Sequence, residues 1–572
     1  MDLRFSSEAP TDAEREAVDR VLGAALPLDP QLRVAHSDRE RRDLLLPALH
    51  ALQDRVGWIS RGGLDHVCRR LSVAPAEAYG VASFYDLFKL EPSPPRTVHA
   101  CVDIACTIAG GPVDGEPSPC LGLCEHAPAA LLVEAGESPV STPVHDGEWD
   151  AAWSVPQRGD SALVMLARAG VVDPGSLASY EAHGGYDALR KAMEIGASAV
   201  VDEVVRSGLV GRGGAAFPTG RKWQAVAGHA SQPHYLVANA DESEPGTFKD
   251  RVLIENDPFS LIEAMTVAAF ATGCEKGYVY MRGEYPIAWR RLADAIDTAR
   301  AAGYLGDDIL GRGVRFDIEM RRGAGAYICG EETALFNSIE GYRGEPRSKP
   351  PFPVDVGLFG QPTVANNVET LVNVLPIVLD GGEAFARTGS GMSTGTKLFC
   401  VSGHVGRPGV YEVPFGPTLA EVIELAGGVS GSGRLQAILL GGVAGRFVGP
   451  EALDTPLTFE GARSIGASLG SGVILPLDDT VDLRPLLVRV AGFFRHESCG
   501  QCVPCRVGTV RQQEALVRLT KGSDVNRELA LIDEVGRCMR DASICGLGQT
   551  AYDAVESALR RFQPFGAGSA DA

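Results

Sequence analysis

The run Ser498-Cys499-Gly500-Gln501-Cys502-Val503-Pro504-Cys505 is answered further along the chain by Ile544-Cys545-Gly546-Leu547-Gly548. Three thiolates at C-x2-C-x2-C wrap one face of an inorganic cluster within a single tight turn. A fourth from elsewhere completes four-coordinate iron, which is the ligand set of a [4Fe–4S] centre. Cys499, Cys502, Cys505 and Cys545 are therefore the expected ligands. Cys538 is near enough in sequence to compete, but Cys545 occupies the Gly-rich turn and is preferred. From Leu486 onward the pattern is helical, so this centre is expected in a C-terminal helical segment.

Working toward the N-terminus, a second set comprises Cys101 and Cys106, then Cys120 and Cys124. Two cysteines on each of two loops suit a [2Fe–2S] rhomb, one iron per loop. A structural zinc site is the alternative, although C-x4-C is unusual in zinc ribbons. Of the 13 cysteines, Cys68, Cys274, Cys329, Cys400 and Cys538 read as small buried hydrophobes.

A chain of 572 residues exceeds one hydrophobic core, so about three to five domains are expected. A net charge of −20 argues against a nucleic-acid partner. No run of 18 apolar residues occurs, and no membrane span is expected. The start Met1-Asp2-Leu3-Arg4-Phe5 lacks a secretory pattern, which points to a cytoplasmic protein.

Residues 1–40 are polar and weakly patterned. Leu45, Leu49, Leu52 and Val56 recur at helical spacing. A second helix is expected near 64–71, and Pro75 opens a third, giving a small helical bundle. Residues 97–102 and 129–133 read as strands, and the Gly-, Pro- and Ser-rich stretch 136–160 as a linker. Helices at 198–205, 261–272 and 289–302 alternate with strands at 234–237, 277–281 and 314–318, which argues for α/β layers. Residues 396–485 suggest a compact α+β unit with a helix near 419–426. The last residues, 564–572, are expected to fray.

Four further segments carry chemistry. Gly211-Arg212-Gly213-Gly214-Ala215-Ala216-Phe217 leads into a helix through Lys222 and Trp223; glycines let backbone amides approach a phosphate or ring edge. A plain surface loop would look the same. Asn239-Ala240-Asp241-Glu242-Ser243-Glu244-Pro245-Gly246 follows a strand directly, where α/β proteins line ligand crevices; a solvated acidic turn is the alternative. Arg322-Gly323-Ala324-Gly325-Ala326-Tyr327-Ile328-Cys329-Gly330-Glu331-Glu332-Thr333 has a dinucleotide-site layout without G-x-G-x-x-G spacing, and Tyr327 fits a stacking or a core role. Lys349-Pro350-Pro351-Phe352-Pro353 and Asn366-Asn367-Val368-Glu369-Thr370 add stiff and amide-rich loops.

Taken in order, residues 175 to 560 resemble the flavin-bearing, NADH-oxidising subunit of respiratory complex I. They also resemble its relatives in NAD-reducing hydrogenases and in molybdenum or tungsten formate dehydrogenases. Residues 40–135, with Ala82-Ser83-Phe84-Tyr85, resemble the thioredoxin-like [2Fe–2S] subunit that partners it, so the chain looks like a fusion of the two. The fold implied is multidomain α/β. It comprises a helical bundle (1–90), an abbreviated thioredoxin-like domain with its linker (91–160) and an α/β FMN/NADH domain (161–395). A β-grasp, SLBB-like domain (396–485) and a C-terminal helical [4Fe–4S] domain (486–572) follow.

By that resemblance Gly211, Arg212, Gly213, Gly214, Lys222, Asn239, Asp241, Glu242 and Ser243 hold FMN. Tyr327, Gly330, Glu331, Asn366, Asn367 and Thr370 lie beside it. Phe217, Glu244, Glu332, Lys349 and Phe352 meet NAD(H), with Glu244 and Glu332 the catalytic-site carboxylates. Two departures stand out. Only 13 residues separate Cys106 from Cys120, where the family places a helix and a strand. Ala216 replaces a glycine usual in complex I, which should narrow the flavin approach.

The implied activity is a diaphorase: hydride passes between NAD(H) and flavin, and single electrons leave through the [4Fe–4S] centre, with the [2Fe–2S] centre as a side reservoir. The fusion and the wording near Ala216 favour a soluble formate dehydrogenase, whose catalytic subunit would be the partner. Complex I and a bidirectional hydrogenase are the alternatives. A non-catalytic electron relay or scaffold is the reading from another class.

Overall fold

The computed structural model describes residues 5–23, 41–145 and 148–566. The stretch expected to be unpatterned contains the helix Asp12–Leu22. Thr11 caps it in a reciprocal box with Glu14, and it buries Val18 and Leu22. Residues 1–4 and 24–40 lie outside the described residues. Helices Leu45–Val56, Arg61–Leu71 and Pro75–Ala82 complete the N-terminal bundle, with Leu45, Leu49 and Leu52 buried as their spacing requires.

The next segment is a four-stranded sheet in the order Glu116–Ser118, Arg96–Cys101, Ala130–Glu134, Val140–Pro143. Arg96–Cys101 runs parallel to Glu116–Ser118 and antiparallel to Ala130–Glu134. The shortened interval between the cysteine pairs thus holds only the end of a helix, Ile104–Ile108, and a three-residue strand. The linker expected at 136–160 is not a free tether. Val140–Pro143 is the outer strand of this sheet, and the short turn Ala151–Ser154 is largely buried.

The central layer is a parallel sheet in the order Asp317–Arg322, Cys274–Met281, His234–Ala240, Thr363–Asn367. Pro258–Thr272 packs behind it, apolar on nearly every face and buried almost throughout. The strand expected at 314–318 lies instead at Asp317–Arg322. It is an edge strand whose charges are paired: Lys276 Nζ to Glu319 Oε2 at 3.2 Å, and Arg321, buried against the N-terminal bundle, to Asp43 at 2.6 Å. Its sequence therefore lacks an apolar run. From the strand His234–Ala240 the chain winds toward Asp317–Arg322, then returns to the other side at Thr363–Asn367. That reversal opens a crevice at the strands' C-terminal ends.

A five-stranded mixed sheet follows, ordered Gly409–Pro414, Thr396–Val401, Val473–Asp478, Leu435–Leu440, Arg446–Val448, with helix Leu419–Leu425 against it. Its central pair is parallel and the others antiparallel, the β-grasp arrangement expected. Helices Leu483–Glu497, Val503–Thr520, Val525–Ala542, Gly546–Thr550 and Asp553–Phe562 end the fold. Of the tail expected to fray, residues 567–572 lie outside the described residues. Among the described residues no helix is long and apolar enough to cross a membrane.

Candidate functional site

Asn239 and Asn367 are register partners at the point where the sheet reverses. Asn239 Nδ2 donates to the Gly330 carbonyl at 2.8 Å, which ties the strand end to the turn Tyr327–Gly330. Asp241 follows in a buried position; its Oδ1 accepts the Ser243 hydroxyl at 3.3 Å. Its Oδ2 has no protein partner. Burial pushes this carboxyl well up, against the pull of Arg282. A buried oxygen without a donor at a switch-point crevice is what a polar ligand would complete.

The Gly-rich loop closes on itself through Gly211 N–H to Phe217 O at 2.9 Å. Arg212 N–H donates to Thr370 Oγ1 at 2.8 Å. The Arg212 guanidinium is buried, donates to Thr394 O at 2.7 Å and leaves Nε and Nη1 without protein partners. Gly213 approaches Asn367 so closely that a Cβ would stand 3.1 Å from that side chain, and Gly214 has φ +117°. Ala216 holds φ +51°, a left-handed conformation that favours glycine. The departure noted in the sequence is thus a point of backbone strain in the loop.

Lys222 Nζ reaches Glu332 at 3.1 Å and the Ala365 carbonyl at 2.8 Å, while Lys349 Nζ bridges Glu331 and Glu332 at 2.9 Å each. Burial would raise the Glu332 carboxyl, but the two lysines win and hold it below the usual range. Glu331 also caps the helix Glu332–Ile339. Phe217 and Phe352 stand exposed at 53 % each near this chain of charges. Glu244 accepts Ala444 N–H at 2.9 Å and Ser471 O–H at 2.8 Å, both from the β-grasp segment. Desolvation pushes it up to about 7 despite those donors.

Several expected residues are engaged within the fold. Glu242 accepts the backbone N–H of Asp250 and Arg251 and the Tyr285 hydroxyl at 3.1 Å, so it caps Lys249–Asn256, and burial pushes it up to about 8. Asn366 Oδ1 accepts Trp223 Nε1 at 2.9 Å, and Asn367 caps Val368–Val372. Tyr327 packs on Phe493 at 5.1 Å between ring centroids, and its N–H donates to Glu497 at 2.8 Å. Both contacts join the crevice to the helix that leads into Cys499.

Cys502 and Cys545 are the cap residues of Val503–Thr520 and Gly546–Thr550, and Cys505 lies in the first turn of the former. Gly548 lies against Cys505, where a Cβ would come within 2.9 Å. Burial, with mutual repulsion among these sulfurs, pushes Cys505 up to about 12 and Cys545 up to about 11. Four crowded thiols of this kind become thiolates against a cationic core, so the donor set fits an iron–sulfur cluster. Cys538 is exposed on Val525–Ala542.

In the N-terminal set Cys120 Sγ and Cys124 Sγ are 3.6 Å apart. Gly122 N–H donates to Cys120 Sγ at 3.4 Å and Ala129 N–H to Cys106 Sγ at 3.3 Å. Cys120 is held well down by Cys101 and Cys124, with Arg282 adding. Two cysteines lie on each of two loops, Cys101 and Cys106 on one and Cys120 and Cys124 on the other, as one pair per iron of a binuclear centre requires.

The sequence did not reveal a buried charge cluster beneath the crevice. Lys249 pairs with Asp250 at 2.8 Å and Glu369 at 3.1 Å, and Lys397 of the β-grasp segment faces Glu369 at 3.8 Å. The adjoining Asn366-Asn367 amides were the only signal.

Comparison with known proteins supplies the rest. The "Nuo51 FMN-binding domain" family matches residues 204–376 and the "NADH-ubiquinone oxidoreductase-F iron-sulfur binding region" matches 486–565. The "Thioredoxin-like [2Fe-2S] ferredoxin" family matches 32–114, which includes Cys101 and Cys106, and the "SLBB domain" matches 398–446. An NADH-quinone oxidoreductase subunit of Rhizobium meliloti is 45% identical over 70% of this chain and 96% of its own. NADP-reducing hydrogenase subunit HndC of Solidesulfovibrio fructosivorans is 42% identical over 70% and 81%. A chain in the crystal structure of NAD+-reducing [NiFe]-hydrogenase in the H2-reduced state aligns with a TM-score of 0.76 and 32% identity, over 92% of each chain.

Proposed function

The chain belongs to the family of NADH-quinone oxidoreductase subunits with the Nuo51 FMN-binding domain, and from that premise we propose that it is an NAD-dependent flavin and iron–sulfur oxidoreductase subunit. FMN bound in the crevice would accept two electrons as hydride and release them singly, which the clusters require. The observation that carries this reading is the crevice itself. It has a donor-free Asp241 oxygen within, exposed Phe217 and Phe352 on the segments that carry Lys222 and Lys349, and Tyr327 joining it to the helix before Cys499.

The residues divide the work. The Gly-rich loop, Lys222, Asn239, Asp241 and Ser243 hold the flavin, flanked by Gly330, Glu331, Asn366, Asn367 and Thr370. Phe217 and Phe352 offer rings to the nucleotide, and Lys349 keeps Glu332 ionised beside it. Glu244, poised at about 7, holds or releases a proton on a carboxyl oxygen within the working pH range. Cys499, Cys502, Cys505 and Cys545 ligate the [4Fe–4S] centre, and Cys101, Cys106, Cys120 and Cys124 the [2Fe–2S] centre.

Anaerobically purified protein should be yellow-brown, contain FMN and iron, bleach on adding NADH and reduce ferricyanide. Protein that binds iron but no FMN and leaves ferricyanide oxidised would establish the relay or scaffold reading instead.

For the parent complex, the loop wording around Ala216 supports a formate dehydrogenase partner. The fusion is shared with the aligned hydrogenase chain, so it does not favour formate over hydrogen. Molybdenum or tungsten in the co-purified complex supports the first, and nickel the second.

A further inference from the structure

The loop Cys120–Cys124 is gripped by arginines from distant parts of the chain. Arg282, just beyond the strand Cys274–Met281, is 2% exposed. Its Nη1 donates to the Glu242 carbonyl at 2.6 Å, and its Nη2 donates to the Cys120 carbonyl and to Glu284 Oε1, the latter at 2.8 Å. One guanidinium therefore bonds a residue of the crevice loop and a cluster ligand at once. Tyr285, whose hydroxyl donates to Glu242, lies under Arg282, with the guanidinium carbon 5.0 Å from the ring centre. Gly122 rests on that ring. It has φ +65°, and a Cβ there would overlap the Tyr285 hydroxyl. Arg251 Nε donates to the Gly122 carbonyl at 3.0 Å, and Arg489 Nε donates to Asp103, between Cys101 and Cys106, at 2.8 Å.

Resting on the [2Fe–2S] assignment of the preceding subsection, we propose that Arg282 is the positioning residue that locks the second ligand loop of this centre to the crevice loop, and that its charge raises the centre's reduction potential. Reduction adds an electron to a group already surrounded by thiolates. A buried cation bonded to a ligand's own carbonyl stabilises that added charge with little screening by water. Glu284 opposes it, accepting from the same Nη2 that holds the Cys120 carbonyl, and its Oε2 has no protein partner. The short interval between Cys106 and Cys120 leaves the second ligand loop little scaffold of its own, so the grip comes from outside.

The test is a redox titration of the intact protein followed by electron paramagnetic resonance, in which the two clusters are separate signals. Arg282→Met should lower the [2Fe–2S] midpoint potential or lose that signal, while the [4Fe–4S] signal holds. Arg282→Lys, which keeps the charge, should restore part of the shift. Glu284→Gln should move the potential upward. An unchanged [2Fe–2S] midpoint in both Arg282→Met and Glu284→Gln would overturn the inference. Absence of any [2Fe–2S] signal from the unaltered protein would instead overturn the cluster assignment beneath it. If Arg282→Met fails to fold, the upward shift in Glu284→Gln decides the matter alone.

Discussion

At the C-terminal cysteines the scaffold is mostly local: Cys502 and Cys545 cap helices of their own segment and Gly548 lies against Cys505, while Arg343 adds a distant contact to the Cys499 carbonyl at 3.4 Å. At the N-terminal cysteines the scaffold is borrowed. Arg251, Arg282 and Arg489 reach in from residues far along the chain to hold Gly122, Cys120 and Asp103. The crevice resembles the second case, because Glu244 is held by Ala444 and Ser471 of the β-grasp segment. A site built from its own neighbours should fail alone when damaged. A site held from outside should transmit damage across the segments that hold it.

Three perturbations separate these cases. Cys545→Ser should remove the [4Fe–4S] signal and loosen Val503–Thr520 and Gly546–Thr550, while the [2Fe–2S] signal and bound FMN persist. Hydrogen exchange resolved along the chain would show the loosening confined to the C-terminal helices. Spread of that loosening into the parallel sheet would break the comparison.

Gly122→Ala places a methyl against Tyr285 at a left-handed position and should cost about 2–3 kcal/mol. The loss should appear as a lower melting temperature together with faster exchange in Lys249–Asn256, whose cap Glu242 shares Tyr285. A change confined to residues 116–126 would count against a borrowed scaffold.

The third is a pH effect at Glu244, whose carboxyl rises on folding from 4.5 to about 7. A raised acid contributes stability below its unfolded value and loses it as pH rises through the folded one. Glu244→Gln should therefore match the unaltered protein near pH 4 and exceed it by about 1–2 kcal/mol near pH 8, allowing for its partial exposure. Denaturant melts across that range measure the difference; a constant gap would show that Glu244 does not titrate there.

These contrasts explain what could be read in advance. Cysteine spacing is a local property, so C-x2-C-x2-C was legible without any fold. For Asn239 and Asp241 the sequence left a crevice lining and a solvated acidic turn both open, and the burial of Asp241 excludes the solvated turn. Asp12–Leu22 was hidden by its many charges, with only Ala17, Val18 and Leu22 supplying an inward apolar stripe. Arg282, Lys249, Lys397 and Glu369 were hidden for a related reason. In sequence a charged residue looks like surface, and only packing shows that all four are buried. Glu242 was read as a ligand-binding carboxylate, and the fold gives it a helix cap.

The amino-acid order alone supplied two cysteine sets spaced for iron–sulfur ligation, the alternation that makes a layered α/β body and the loops proposed to meet a flavin nucleotide. Those features depend on spacings of a few residues, which survive without knowledge of the fold. The tertiary structure decided which loops share a crevice, which carboxylates stay free, and which arginines hold the N-terminal centre. Such pairings join residues hundreds of positions apart, and only chain packing brings a guanidinium and a carbonyl within bonding distance and removes the water between them.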